Sequence, residues 1–303
     1  MINGFVVIDK PAGITSHDVV SRVRRILGTR KVGHTGTLDP FATGVLPIAV
    51  NDGTKAIPFL DEGIKCYEAL MQFGVKTDTL DMTGKVISEG DYSSLSEQQL
   101  LELFTRFTGS IQQIPPMYSA IKQGGQPLYI LARMGQEVER AARSVEIHSI
   151  ELLSFSAPFV SIRVTCSRGT YVRALADDIG TEAGCGAALK ELRRTASGPF
   201  VIGSASTLEE LESAACEGRA DSLCISPFNA LAYLQDIPLT DAGLTKISFG
   251  RSPLWSETTI QPKSSYCDTT LVRLSHNGKL VAVARVSLRG DDLPAIVLQR
   301  VFM

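Results

Sequence analysis

The chain has 303 residues, 44% hydrophobic and 20% charged, which fits a globular protein with a sizeable core in about two domains. Its net charge of -2 argues weakly against a polyanion partner, although a whole-chain sum hides local patches. Runs such as "VLPIAV" and "LVAVARV" fall well short of the roughly 20 apolar residues of a membrane helix, and the N-terminus lacks a basic n-region, so a cytoplasmic protein is expected.

In chain order, "GFVVIDKP" predicts a strand stopped by Pro11. "TSHDVVSRVRRILG" predicts a helix: Thr15 and Asp18 form a capping-box pattern, Val19, Val23, Ile26 and Leu27 recur at helical spacing, and Gly28 closes it. "RVRRILGTRK" (residues 22–31) then places five basic residues in ten, with no acid. In isolation such a run is a solvated helix face; next to the loop that follows, it reads as a phosphate-binding surface.

That loop opens "KVGHTGTLDPFATGVLPIAV" (residues 31–50), where three glycines and three threonines surround one histidine and one aspartate before an apolar strand. A short helix is expected over "GTKAIPFLDEG", then an alternating strand "IKCYEALMQFGVKTDT" paired with "GKVISEGDY" as a hairpin. "SEQQLLELFTRFTG" predicts an amphipathic helix capped by Ser96. The proline- and glycine-rich "SIQQIPPMYSAIKQGGQPLYILARMG" reads as an excursion from the core ending in a short helix.

Strands "RSVEIHSIELLSFS" and "FVSIRVTCS" follow, then a helix over "RGTYVRALADDIGTEAG", the extended basic run "AALKELRRTASGPFVIG" and an acidic helix "TLEELESAACEG". Near Gln235 the texture changes to one short helix and the strands "TTLVRLS", "KLVAVARVSL" and "AIVLQRVFM", separated by the turn signals "HNGK" and "RGDD". The first part is thus a mixed α/β or α+β domain and the second a small all-β domain.

Six scattered cysteines with no C-x-x-C pair read as free thiols, and four histidines at no ligand spacing imply no metal. In the glycine loop, a P-loop lacks its lysine, and a two-carboxylate glycosidase lacks a second acid near Asp39 in sequence. A single carboxylate acting on a bound nucleoside as nucleophile or base fits, as does a plain Asp-Pro turn, and the loop alone does not decide.

Together "GFVVIDKPAGITSHDVV", "KVGHTGTLDPFATGVLPIAV", "YEALMQFGVKTDTLDMTG", "PPMYSAIKQGGQPLY" and "CSRGTYVRALADDIG" resemble the TruB family of pseudouridine synthases, from Asn3 to about Pro199. The resemblance implies a largely antiparallel mixed sheet flanked by helices (the pseudouridine synthase fold) over residues 1–235, with residues 109–136 an inserted RNA-clamping element. It implies a small β-barrel-like PUA domain over residues 236–303.

The activity implied is isomerisation of uridine to pseudouridine in the T-arm loop of transfer RNA (position 55), without cofactor or metal. By the same resemblance Asp39 is the nucleophile, Arg173 its partner and Tyr67 the platform for the flipped uracil. His34 fills the space the base leaves, Tyr171 and Leu192 line the pocket, and Lys10 supports its floor. Arg22, Arg24, Arg25, Arg30 and Lys31 meet backbone phosphates. A cytoplasmic monomer with no obligatory protein partner is expected. The rivals are a pure RNA-binding folding factor, which needs no such set of side chains, and a nucleoside hydrolase, which releases free uracil.

Overall fold

A computed structural model describes residues 2–61, 63–262, 266–288 and 294–303. Strand β1 (Gly4–Lys10) leads into helix α1 (Ser16–Leu27). Thr15 Oγ1 accepts from Asp18 N, and Asp18 Oδ2 accepts from Thr15 N, so the capping box forms and fixes where the helix starts. Strands β2 (Val32–His34) and β3 (Thr43–Val50) follow, then the single turn α2 (Gly53–Ala56).

Strand β4 (Ile64–Phe73) continues beyond Gly74 as β5 (Val75–Thr77), which pairs with β6 (Val86–Glu89). The expected hairpin with "GKVISEGDY" forms, but only at the end of its run, between Val75–Thr77 and Val86–Glu89, because the chain turns at Gly74 with φ +82°. Helix α3 (Glu97–Arg106) is capped by Ser96 Oγ accepting from Gln99 N.

Next come β7 (Gly109–Gln113), the two-residue strands β8 (Lys122–Gln123) and β9 (Gln126–Pro127), helix α4 (Leu128–Arg133) and β10 (Arg143–Ser156). Because β7 pairs with β10, the first four residues of the expected excursion (110–113) belong to an edge strand of the main sheet, and the chain leaves the sheet only after Gln113. Strand β11 (Phe159–Ser167), helix α5 (Val172–Glu182) and strands β12 (Ala187–Ser197) and β13 (Phe200–Val201) follow. Helix α6 (Leu208–Cys216), β14 (Cys224–Ile225) and α7 (Pro227–Ala230) complete this part.

The main sheet runs β14-β1-β3-β12-β4-β11-β10-β7, antiparallel at every step but one. The exception is β3 beside β12, parallel and joined only through Arg193↔Thr43 and Arg194↔Gly44. Helices α1, α3, α5 and α6 cover one face, burying Val19, Val23, Leu103, Leu175 and Leu211 against Val6, Ile8, Leu46 and Met71. The alternate residues Phe5, Val7, Val45 and Ala49 point the other way, onto Phe200, Leu231 and Leu234. Strands β1 and β3 are thus buried on both faces, which is why they read as unbroken apolar runs, while β4 alternates.

The C-terminal sheet has the order β15 (Gln235–Pro238), β16 (Leu271–His276), β17 (Lys279–Ser287) and β18 (Ala295–Val301), with helix α8 (Asp241–Ser248) packed against β17. It begins at Gln235, one residue before the boundary read from the sequence, because β15 pairs with β16 from that residue on. Leu280 and Val283 of β17 join the same apolar cluster as Phe5 and Val45, so this sheet is packed onto the back of the main one. The turn signal "RGDD" lies outside the described residues. No helix among the described residues is long and apolar enough to cross a membrane.

Candidate active site

The glycine-rich loop crosses the sheet where β3 and β12 diverge. Gly44 has φ +99°, and a Cβ there would meet the Arg194 carbonyl oxygen at 2.2 Å, so the parallel pairing requires glycine at this position. The loop is pinned at its centre: Leu38 is buried, its N–H donates to Ser16 Oγ at 2.9 Å, and Ser16 Oγ donates to the Leu38 carbonyl at 3.1 Å. Asp39 follows with its side chain partly exposed, facing a cavity of about 550 Å³. The residue is held out of the core by its buried neighbour and reached from the cavity side.

Arg173 enters from the first turn of α5, its side chain only 4% exposed. Its Nη2 donates to Asp39 Oδ1 at 3.1 Å, and Nε lies 2.8 Å from Oδ2. The remaining donors go to the Thr79 carbonyl at 2.9 Å, the Tyr118 carbonyl at 2.7 Å and Asp81 Oδ2 at 3.4 Å. Burial pushes the Asp39 carboxyl above its usual range; the Arg173 charge opposes this and the nearby Asp81 adds to it. A carboxylate raised in basicity yet clamped by a guanidinium suits a nucleophile or base.

Tyr67, on β4, is 8% exposed and lines the cavity with Leu192 and Tyr171. Burial raises the Tyr67 phenol, and the Arg194 guanidinium beside it pulls the other way. Burial likewise raises Tyr171, opposed by the Ser119 hydroxyl. Tyr171 caps α5, and both backbone groups of Tyr171 bond the buried Gln113: its N–H donates to Oε1 at 2.8 Å and its carbonyl accepts from Nε2 at 3.0 Å. Gln113 therefore latches the point where the chain leaves the sheet to the helix that carries Arg173. Ser119, Ala120 and Ile121, further along that excursion, wall the cavity.

Lys10 lies beneath the loop, fully buried, its ammonium donating to the carbonyls of Pro11 (2.8 Å), Pro40 (3.1 Å) and Ala42 (2.7 Å). Burial lowers it to about 8, while the Asp39 charge favours its proton. Lys10 holds the chain just after Asp39 and is not among the residues lining the cavity. His34 ends β2 opposite Ile48, partly buried, and is also outside the lining.

Arg22, Arg24, Arg25, Arg30 and Lys31 are all exposed, but none lines the cavity. Adjacency in sequence misleads here. The first turn of α1 touches the loop through Ser16, whereas Arg24 sits about 12 Å along the helix axis. The Lys31 carbonyl bonds Asn51 N beyond the far end of β3, about 25 Å from Thr43. Arg24 also has a local task, donating to the Val32 carbonyl at 2.9 Å.

Two site residues escaped the sequence reading. Asp81, 3% exposed, shares Arg173 with Asp39 and accepts from Thr79 Oγ1 at 2.9 Å and Thr83 N at 3.0 Å. Its signal is the "TLDMT" pattern, an acid between two threonines. Arg194, 1% exposed, lines the cavity two residues after Leu192, so strand alternation places both on one face. Among the described residues no group of three His, Cys, Asp or Glu side chains could hold a metal ion.

Residues 24–172 match the model of the TruB family pseudouridylate synthase N-terminal domain, and residues 173–236 that of the tRNA pseudouridylate synthase B C-terminal domain. The chain is 51% identical to the tRNA pseudouridine synthase B of Geotalea uraniireducens, over 99% of this chain and 98% of that one. It is 48% identical to that of Geobacter sulfurreducens, over 99% and 100%. Among solved structures, a chain of a Cbf5-Nop10-Gar1 complex superposes with a TM-score of 0.76 at 28% identity, over 99% of this chain and 85% of that one. A chain from an H/ACA RNP bound to a substrate RNA containing 2'-deoxyuridine gives a TM-score of 0.75 at 25% identity, over 99% and 85%.

Proposed function

This chain belongs to the TruB family of pseudouridylate synthases, and from that premise we propose that it isomerises uridine to pseudouridine in the T-arm loop of transfer RNA, at position 55. The reaction breaks the N1–C1' bond and forms a C5–C1' bond; C5 loses a proton and N1 gains one, so no atom is added or lost. The ionised Asp39 carboxylate starts it, as nucleophile on the nucleotide or as base toward the ribose.

The target base reaches Asp39 by leaving its stack, which costs a few kcal/mol. Stacking on Tyr67 contributes ~1–3 kcal/mol toward that cost, and Leu192 and Tyr171 line the space around the ring. His34 takes the place the base vacates, and Lys10 supports the floor by holding the Pro40 and Ala42 carbonyls. Residues 114–136, the part of the excursion that leaves the sheet, close over the RNA, and the C-terminal sheet from Gln235 on serves as a PUA-like RNA-binding domain. Arg22, Arg24, Arg25, Arg30 and Lys31 meet phosphates away from the flipped nucleotide. The protein is proposed to work in the cytoplasm as a monomer without an obligatory protein partner, which isomerisation by the purified chain and its sedimentation would test.

The observation that carries this reading is Asp39 held by the buried Arg173 beside the Tyr67 ring, in one cavity of about 550 Å³. Purified protein incubated with a T-arm stem-loop should give a mass-neutral product that blocks reverse transcription after carbodiimide treatment. Asp39→Asn should bind the RNA and yield none. Conversion by that variant, or release of free uracil, would reject the proposal.

A further inference from the structure

Arg194 is a buried guanidinium whose donors reach backbone carbonyls on both sides of Asp39. Nε donates to the Val45 carbonyl at 2.7 Å, Nη1 to Thr37 at 3.4 Å and Nη2 to Gly36 at 3.2 Å. Gly36 and Thr37 precede Asp39 and Val45 follows it, so one planar group ties both limbs of the loop. In the sheet Arg194 stands directly opposite Tyr67 on β4 and opposite Gly44 on β3, which places Gly44, Arg194 and Tyr67 in one row across three strands. The Arg194 guanidinium therefore lies beside the Tyr67 phenol on one face of the sheet.

A buried guanidinium is costly unless its donors are used, and a leucine would fill this volume without that cost. What the guanidinium adds is a fixed fork: it sets the loop and the ring at a defined spacing, which a single ammonium on a flexible stem cannot do. Lys10 holds the same loop from the other side through Pro40 and Ala42.

We propose that Arg194 is a positioning residue for the isomerisation, fixing the separation of the Asp39 loop from the Tyr67 ring so that a pyrimidine stacked on the ring meets the carboxylate in reacting geometry. This rests on the proposed activity and concerns how the geometry of that site is kept. RNA affinity comes chiefly from phosphate contacts elsewhere, so loss of this spacing acts on the chemical step and leaves binding alone.

The test is Arg194→Lys in the full chain, assayed on a T-arm stem-loop, with folding followed by melting. The expected result is a fall in kcat of about ten- to a hundredfold, with KM and RNA Kd within about twofold of wild type. In a Tyr67→Phe background the same substitution should cost clearly less, because the phenol that stands beside the guanidinium is then absent. A raised KM with intact kcat would instead make Arg194 a substrate contact, and full additivity with Tyr67→Phe would break the link; either overturns the proposal. Should Arg194→Lys not fold, Tyr67→Phe alone decides: it keeps the ring and is expected to lower kcat without changing KM, and an unchanged kcat overturns the idea. Failure of the underlying activity would be distinct, since wild-type protein would then convert no uridine.

Discussion

Arg173 reaches Asp39 across 134 positions of sequence, with Nη2 donating to Oδ1 at 3.1 Å and Nε 2.8 Å from Oδ2. The same guanidinium meets Asp81 at 3.4 Å and the carbonyls of Thr79 and Tyr118. One planar cation therefore joins the Asp39 loop, the segment after β5 and the excursion after β7.

Arg173→Lys keeps the charge but not this arrangement of donors. Misplacing Asp39 by about 1 Å is enough for a loss on the order of a hundredfold, so single-turnover rates should fall at least that far. Arg173→Met leaves Asp39 and Asp81 facing each other unpaired, and should destabilise the fold by about 3–5 kcal/mol in urea titration. Near-wild-type rates for Arg173→Lys would remove Arg173 from the mechanism.

The pH dependence has a fixed sign. Burial raises the Asp39 carboxyl above the usual 3.8, so the ionised form is lost at a higher pH than an ordinary aspartate would lose it. The acidic limb of the single-turnover rate should lie above that value. Between 3.8 and the raised pKa the folded chain holds a proton that the unfolded chain has released, so stability from this group falls as pH rises through that window and stays reduced at neutral pH. Asp39→Asn, with Asp81 still beside Arg173, should therefore melt no lower than wild type at pH 7. An acidic limb at or below 3.8 would show an unshifted carboxyl.

Gln113 uses both ends of its amide on the Tyr171 backbone. Gln113→Ala strands the Tyr171 N–H at a partly buried site, while the carbonyl keeps Leu175 N, at a cost of about 1–3 kcal/mol. The melting temperature should drop, and kcat should fall more than RNA affinity does, because the loosened start of α5 carries Arg173. Equal losses in kcat and in affinity would mean that the latch serves binding instead.

The basic run predicts a different signature. Replacing Arg22, Arg25, Arg30 and Lys31 with alanine should raise KM and flatten its salt dependence by about 0.7–0.9 for each phosphate no longer neutralised, with kcat unchanged. Arg24 is spared because it holds the Val32 carbonyl. An unchanged salt slope would make this surface an ordinary solvated face.

Local elements were legible in the order of residues alone. Capping signals at Thr15 and Ser96 sit where helices begin, since a cap satisfies the N–H groups of its own first turn and needs nothing distant. Apolar runs marked β1 and β3 as strands, and the glycine loop stood out before any fold was known. Folding in three dimensions was needed to settle where Lys31 lies relative to Asp39, which stretch of the run from Ile64 to Thr79 pairs with residues 86–89, and that residues 109–113 form a sheet edge. It also brought Asp81 beside Arg173 and buried Arg194 opposite Tyr67. Those facts depend on which strands become neighbours, a property of long-range pairing and of charges forced to share one desolvated space, and no local pattern encodes it.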